Sequence, residues 1–74
     1  MEIFNSFKSS NVASLAYESK SDELQVEFKN GGRYAYSGVT SKQWHDLQHA
    51  KSIGGFVHAK IVGQHEGRKL GAPK

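Results

Sequence analysis

The chain of 74 residues has no cysteine. This excludes disulfides and Cys-ligated metal as supports for the fold, and it suits a reducing compartment. No stretch approaches the roughly 20 apolar residues needed to span a bilayer. The start has no positive region followed by an apolar run, so no secretory leader is expected. The expected location is the cytoplasm, with no membrane partner. Catalytic signatures are also missing. Ser, His and Asp are all present, but nothing marks an activated nucleophile or a paired-carboxylate cleft. The glycines of GGFVHAKIVGQ fit no phosphate-loop spacing. The sequence thus predicts a non-enzyme without a cofactor. It has no internal repeat and no second domain.

What is present is one small domain, near the lower limit of what a single core can stabilise. Its clearest stretch is residues 23–37, ELQVEFKNGGRYAYS. Leu24, Val26 and Phe28 alternate with polar residues, the period-2 pattern of a half-buried strand. Asn30-Gly31-Gly32 supplies positions that accept positive φ, as a tight hairpin loop requires. Arg33 to Ser37 returns with Tyr34 and Tyr36 on one face. A three-residue loop at 30–32 puts Phe28 opposite Tyr34 and turns both tyrosines to the core. A two-residue loop at 30–31 puts Glu27 opposite Tyr34 and turns them outward. The inward register is preferred, because the outward one buries Arg33, Ala35 and Ser37.

Asn11 to Tyr17 reads as an earlier strand, with Ala13, Leu15 and Tyr17 on one face. After Gly38, Thr40 is placed as a helix N-cap. Gln43 completes a capping box, and Val39 and Trp44 occupy the staple positions. This helix is predicted over about 41–51, with Trp44, Leu47 and Ala50 buried. Ser52 caps a second helix carrying Ile53, Phe56, Val57 and Ile61. The predicted fold is α+β: a three-stranded antiparallel meander followed by two short helices on one face. Its core is expected to draw on Leu15, Leu24, Val26, Phe28, Trp44, Leu47, Phe56 and Ile61. Residues 10–62 form the domain. Residues 1–9 are read as a flexible N-terminal segment, with Ile3, Phe4 and Phe7 available for packing or an oligomer contact. Residues 63–74 are read as a flexible basic tail.

From Tyr34-Ala35-Tyr36 outward, the chain resembles the KTSC domain, whose central mark is Tyr-x-Tyr. Ser10-Asn11-Val12, Tyr17, Leu24-x-Val26-x-Phe28, the glycine turn, Val39, Trp44, Leu47, Ala50, Ser52-x-Gly54, Phe56 and Ile61 continue the likeness over about residues 10–62. The family is named for its place at the C-terminus of some lysyl-tRNA synthetases, and it also occurs as a free-standing bacterial or phage protein. The resemblance implies no assigned activity and a suggested role in RNA binding. This copy departs from the family in having Thr40 where members usually place Pro. It also has Gly55, Ala59 and Val62 where they often carry Arg.

Charge is unevenly distributed. Residues 1–28 hold Lys8 and Lys20 against five acidic side chains, a net of −3. Residues 29–74 hold eight basic side chains against Asp46 and Glu66, a net of +6. The candidate nucleic-acid contacts are therefore Arg33, Lys51, His58, Lys60, Arg68 and Lys69. Each also has a simpler reading: Lys51 complements a helix C-terminus, and Lys60 snorkels beside an apolar stripe. Tyr34 and Tyr36 are either base-stacking rings or core residues. His45 and His49 have chelate spacing on a helix, but they lack a third ligand and are read as surface residues, so no metal is expected. Two binding readings follow: an RNA or other nucleic-acid module, and a protein-interaction module using an exposed strand edge, the Phe4/Phe7 segment or self-association.

Overall fold

The computed structural model describes residues 2–71. Five strands form one antiparallel sheet in sequence order: β1 (Glu2–Phe4), β2 (Val12–Glu18), β3 (Glu23–Phe28), β4 (Arg33–Tyr36) and β5 (Gly67–Gly71). Between β4 and β5 lie α1 (Ser41–Gln48) and α2 (Ile53–Phe56), and α2 runs straight into a π-helical segment, Val57–Val62. The α+β class and the two helices match the sequence reading, but the sheet has five strands rather than three. The extra strands come from the two end segments left outside the predicted domain. Each gains its hydrogen bonds from a strand distant in sequence: β1 from β2, and β5 from β4. Neither has an apolar alternation that would reveal it alone.

The β3–β4 register pairs Leu24 with Tyr36, Val26 with Tyr34 and Glu27 with Arg33. Tyr34 and Tyr36 thus share the face of Leu24 and Val26, the inward option, but the pairing lies two residues away from the one expected. The connection, residues 29–32, is four residues long and is closed by backbone hydrogen bonds. Phe28 N–H donates to the Gly32 carbonyl at 2.8 Å and Gly31 N–H to the Phe28 carbonyl at 2.9 Å. The Asn30 side chain accepts from Gly32 N–H, and Gly31 takes a φ of 97°. A slip of two residues leaves every side chain on its face.

In β2 the buried residues are Val12, Leu15 and Tyr17. Ala13 does not share their face as the sequence suggested. A bulge between Val12 and Ser14 inserts one residue and shifts the alternation.

Both helical segments cover one side of the sheet. Thr40 and Gln43 close the reciprocal capping box: Gln43 N–H donates to the Thr40 hydroxyl at 3.1 Å and Thr40 N–H to the Gln43 side-chain Oε1 at 3.2 Å. Val39 and Trp44, the staple pair, are both buried. α1 ends at Gln48, short of the predicted Lys51. Ser52 caps α2 by accepting from Gly55 N–H. The core joins Val12, Leu15, Tyr17, Leu24, Val26 and Tyr36 to Val39, Trp44, Leu47, Ile53, Val57 and Ile61. Phe28, Phe56 and Ala50 pack against it only partly buried.

Candidate functional site

Strand register sorts the candidate residues onto two faces. On the side that carries the helices, Leu15, Val26, Tyr34 and Lys69 follow one another across β2 to β5, as do Tyr17, Leu24, Tyr36 and Gly67. On the open side the row is Ile3, Ala16, Gln25, Ala35 and Arg68. Arg33 and Arg68 therefore face away from the helices. Arg33 lies in a shallow depression with Glu27, Gln25 and Leu70. Arg68 approaches Glu23 at 3.6 Å. That face is mixed in charge and offers no stacking platform.

The helix side carries a cleft of ≈ 370 Å³ where β3, β4 and their loop meet α2 and the π-helical segment. Phe28, Tyr34 and Tyr36 line the sheet side, and Gly54, Val57, His58 and Val62 line the helical side. The Phe28 and Tyr34 rings meet edge to face, 5.8 Å apart at 75°. Tyr34 and Tyr36 stack at 6.3 Å and 26°. Tyr36 is almost wholly buried, whereas Tyr34 keeps part of its surface open. Burial, and then the neighbouring Tyr34, push the Tyr36 phenol above its ordinary range, so it stays protonated at neutral pH. Asn11, Asn30 and His58 add polar groups to the lining.

A second depression adjoins the first and shares Asn11, Gly54 and His58 with it. It is lined by Lys8, Ser9 and Lys51 as well. The junction is tight. A Cβ on Gly54 would collide with the Asn11 side-chain oxygen.

Of the sequence candidates, Tyr34, Tyr36, Lys51 and His58 line these two depressions, and Lys69 stands across from Tyr34 on the same face. Lys60 is exposed on the π-helical segment and lines neither. Lys8, Asn11 and Asn30 went unread as site residues. Lys8 lies in the segment read from sequence as flexible, Asn11 in the segment read as a strand, and Asn30 in the hairpin loop. The histidine pair His45 and His49 is exposed, with ring centroids 4.6 Å apart. Among the described residues, no group of three or more His, Cys, Asp or Glu side chains could hold a metal ion. No helix among them is long and apolar enough to cross a membrane.

The sequence profile of the KTSC domain matches residues 8–65. The chain belongs to the KTSC domain family. The match takes in every lining residue of both depressions, while β1 and β5 lie outside it. The crystal structure of a KTSC domain protein from Yersinia pestis has the same fold, with a TM-score of 0.84 and 28% sequence identity. The likeness covers 95% of this chain and 100% of that one. No curated protein matches the chain. The Tyr-x-Tyr mark of the KTSC family thus has two roles here. Tyr36 anchors the core under β5, and Tyr34 presents a partly open ring to the cleft.

Proposed function

We propose that this KTSC domain is a non-catalytic module that binds RNA weakly and without strong sequence preference, through the helix-bearing side. One observation carries the reading: the depression lined by Lys8, Lys51 and His58 runs into an aromatic cleft. Cationic side chains beside partly open rings are what a single strand needs, with phosphate on one and base on the other. The net charge of +3 favours an anionic partner. Cytoplasmic RNA is the partner that fits best.

Fluorescence anisotropy with a labelled single-stranded RNA at about 20 mM salt tests this, since screening is then weakest. Binding should be micromolar and should fall as salt rises, by roughly 0.7 in log K per log salt for each phosphate contacted. Lys8→Glu with Lys51→Glu should abolish most of it. No binding at low salt ends the reading.

A second reading rests on the open face. Ile3 is 70% exposed and Leu70 43% exposed, and both sit on the sheet's edge strands. They lie at opposite edges, so a protein partner or second copy adding a strand beside β1 would cover Ile3, and one beside β5 would cover Leu70. Its signature is an interaction that ignores the lysine reversals and is lost on Ile3→Lys or Leu70→Lys.

A further inference from the structure

We propose that the cleft between the β3–β4 hairpin and the π-helical segment is a nucleobase site, with the adjoining depression taking the flanking phosphate. The proposal rests on the nucleic-acid reading above and names what enters the cleft.

Size comes first. At ≈ 370 Å³ the cleft lies at the small end of the about 300–1,000 Å³ typical of ligand sites, room for one base and its sugar rather than a helix or a peptide strand. Shape comes next. Phe28 and Tyr34 stand at 75° to each other and form a corner. A flat ring entering it lies against one ring face and meets the edge of the other, the two arrangements that aromatic rings prefer. The facing wall offers Gly54, Val57 and Val62. Apart from His58 this wall is apolar and, at glycine, low enough to leave a slot.

The polar groups suit a base rather than a greasy ring. Asn11 and Asn30 both line the cleft. Each uses its side-chain oxygen inside the protein: Asn11 accepts from the Ser9 hydroxyl at 3.1 Å, and Asn30 accepts from Gly32 N–H at 2.9 Å. That leaves each with an NH2 group as the end to offer, and carbonyl and ring-nitrogen acceptors are what every nucleobase edge carries. The route to phosphate is set by the residues common to both depressions, Asn11, Gly54 and His58. A base in the first depression therefore has its 5′ or 3′ phosphate beside Lys8 and Lys51. Gly54 is the position that permits this. Its missing side chain leaves room for the Asn11 amide at the junction.

The test pairs small probes with variants that keep the fold. In an NMR titration of the 15N-labelled protein, adenosine and uridine 5′-monophosphates should shift the amides of Asn30, Tyr34, Gly54, Val57 and Val62. Ribose 5-phosphate, which lacks the base, should shift only those near Lys8 and Lys51. Tyr34→Leu keeps an apolar side chain and removes the stacking face. Val62→Phe fills the cleft from a position that is 39% exposed. Each should weaken single-stranded RNA binding about tenfold, the scale of one base–aromatic stack, and leave the salt slope unchanged. If RNA binds both variants as tightly as the parent, the nucleobase site is overturned while RNA binding stands. If the mononucleotides shift nothing that ribose 5-phosphate does not, it is likewise overturned. If the mononucleotides shift the cleft amides but no RNA binds, the nucleobase site is upheld and the RNA reading falls.

Discussion

The hydroxyl of Tyr17 donates to the backbone carbonyl of Val39 at 2.8 Å, a link spanning 22 residues of sequence. The same hydroxyl lies 3.1 Å from Asp22 Oδ1, and Val39 N–H donates to the Asp22 carbonyl at 3.0 Å. The turn after β2 and the residue before the α1 cap are thereby tied at one point. The Tyr17 ring stacks on Trp44 at 5.3 Å and 15°, so α1 is set on the sheet from the same residue. Tyr17→Phe keeps the stack and orphans a buried carbonyl. It should cost about 1–3 kcal/mol of stability, read from the midpoint of a urea melt.

Tyr17 also sets an alkaline limit. Burial first, then the Asp22 hydrogen bond and the nearby Asp22 and Glu2 charges, hold its phenol above the ordinary range. Tyr36 is held up in the same way by burial and by Tyr34. Neutral phenol is thus favoured in the folded state. That contribution is fully present below the unfolded phenol value of about 10 and is lost as pH rises from there through the folded value. Urea midpoints should hold from pH 8 to 9 and fall by pH 11. The fall should be smaller in Tyr17→Phe.

Two hairpin residues should separate core from rim. Leu24 is fully buried and Leu24→Ala should cost about 2–5 kcal/mol. Phe28, placed in the core by sequence alone, is only partly buried beside the loop. Phe28→Ala should therefore cost less than Leu24→Ala, despite the larger side chain removed. Denaturant melts of the two variants read the order directly.

β5 depends on a glycine. A Cβ on Gly67 would lie 2.5 Å from Tyr36 Cε1, a clash with the ring of a buried residue. Gly67→Val should cost about 1–3 kcal/mol and lift β5 from β4. Amide exchange at Arg68 and Lys69 should then speed up while exchange in β3 changes little.

Charge reversals should divide by face. Lys8→Glu with Lys51→Glu should lower the RNA salt slope by about 1.4, two single-strand contacts. Arg33→Glu, on the open face beside Glu27, should leave it unchanged. Anisotropy over a salt series measures both. A larger loss from Arg33→Glu would put RNA on the open face instead.

Local chemistry made much of this chain legible in its sequence. The alternation of Leu24, Val26 and Phe28 needs only neighbouring residues to be read, and so does the Thr40–Gln43 capping box. The inward turn of Tyr34 and Tyr36 followed from the poor burial that Arg33 and Ser37 would give. The resemblance around Tyr-x-Tyr extended that reading to the family. Tertiary structure decided the rest. Glu2–Phe4 and Gly67–Gly71 are strands because β2 and β4 offer them unpaired backbone, and hydrogen bonds to a distant strand leave no period in a short segment. The bulge in β2 and the two-residue slip of the hairpin were settled by backbone bonding that composition does not encode. The cleft is the clearest case. Lys8, Asn11, Asn30, Tyr34, Lys51 and His58 are scattered along the chain, and only the packing of α2 and its π-helical extension over β3 and β4 brings an aromatic corner, two amides and two lysines together.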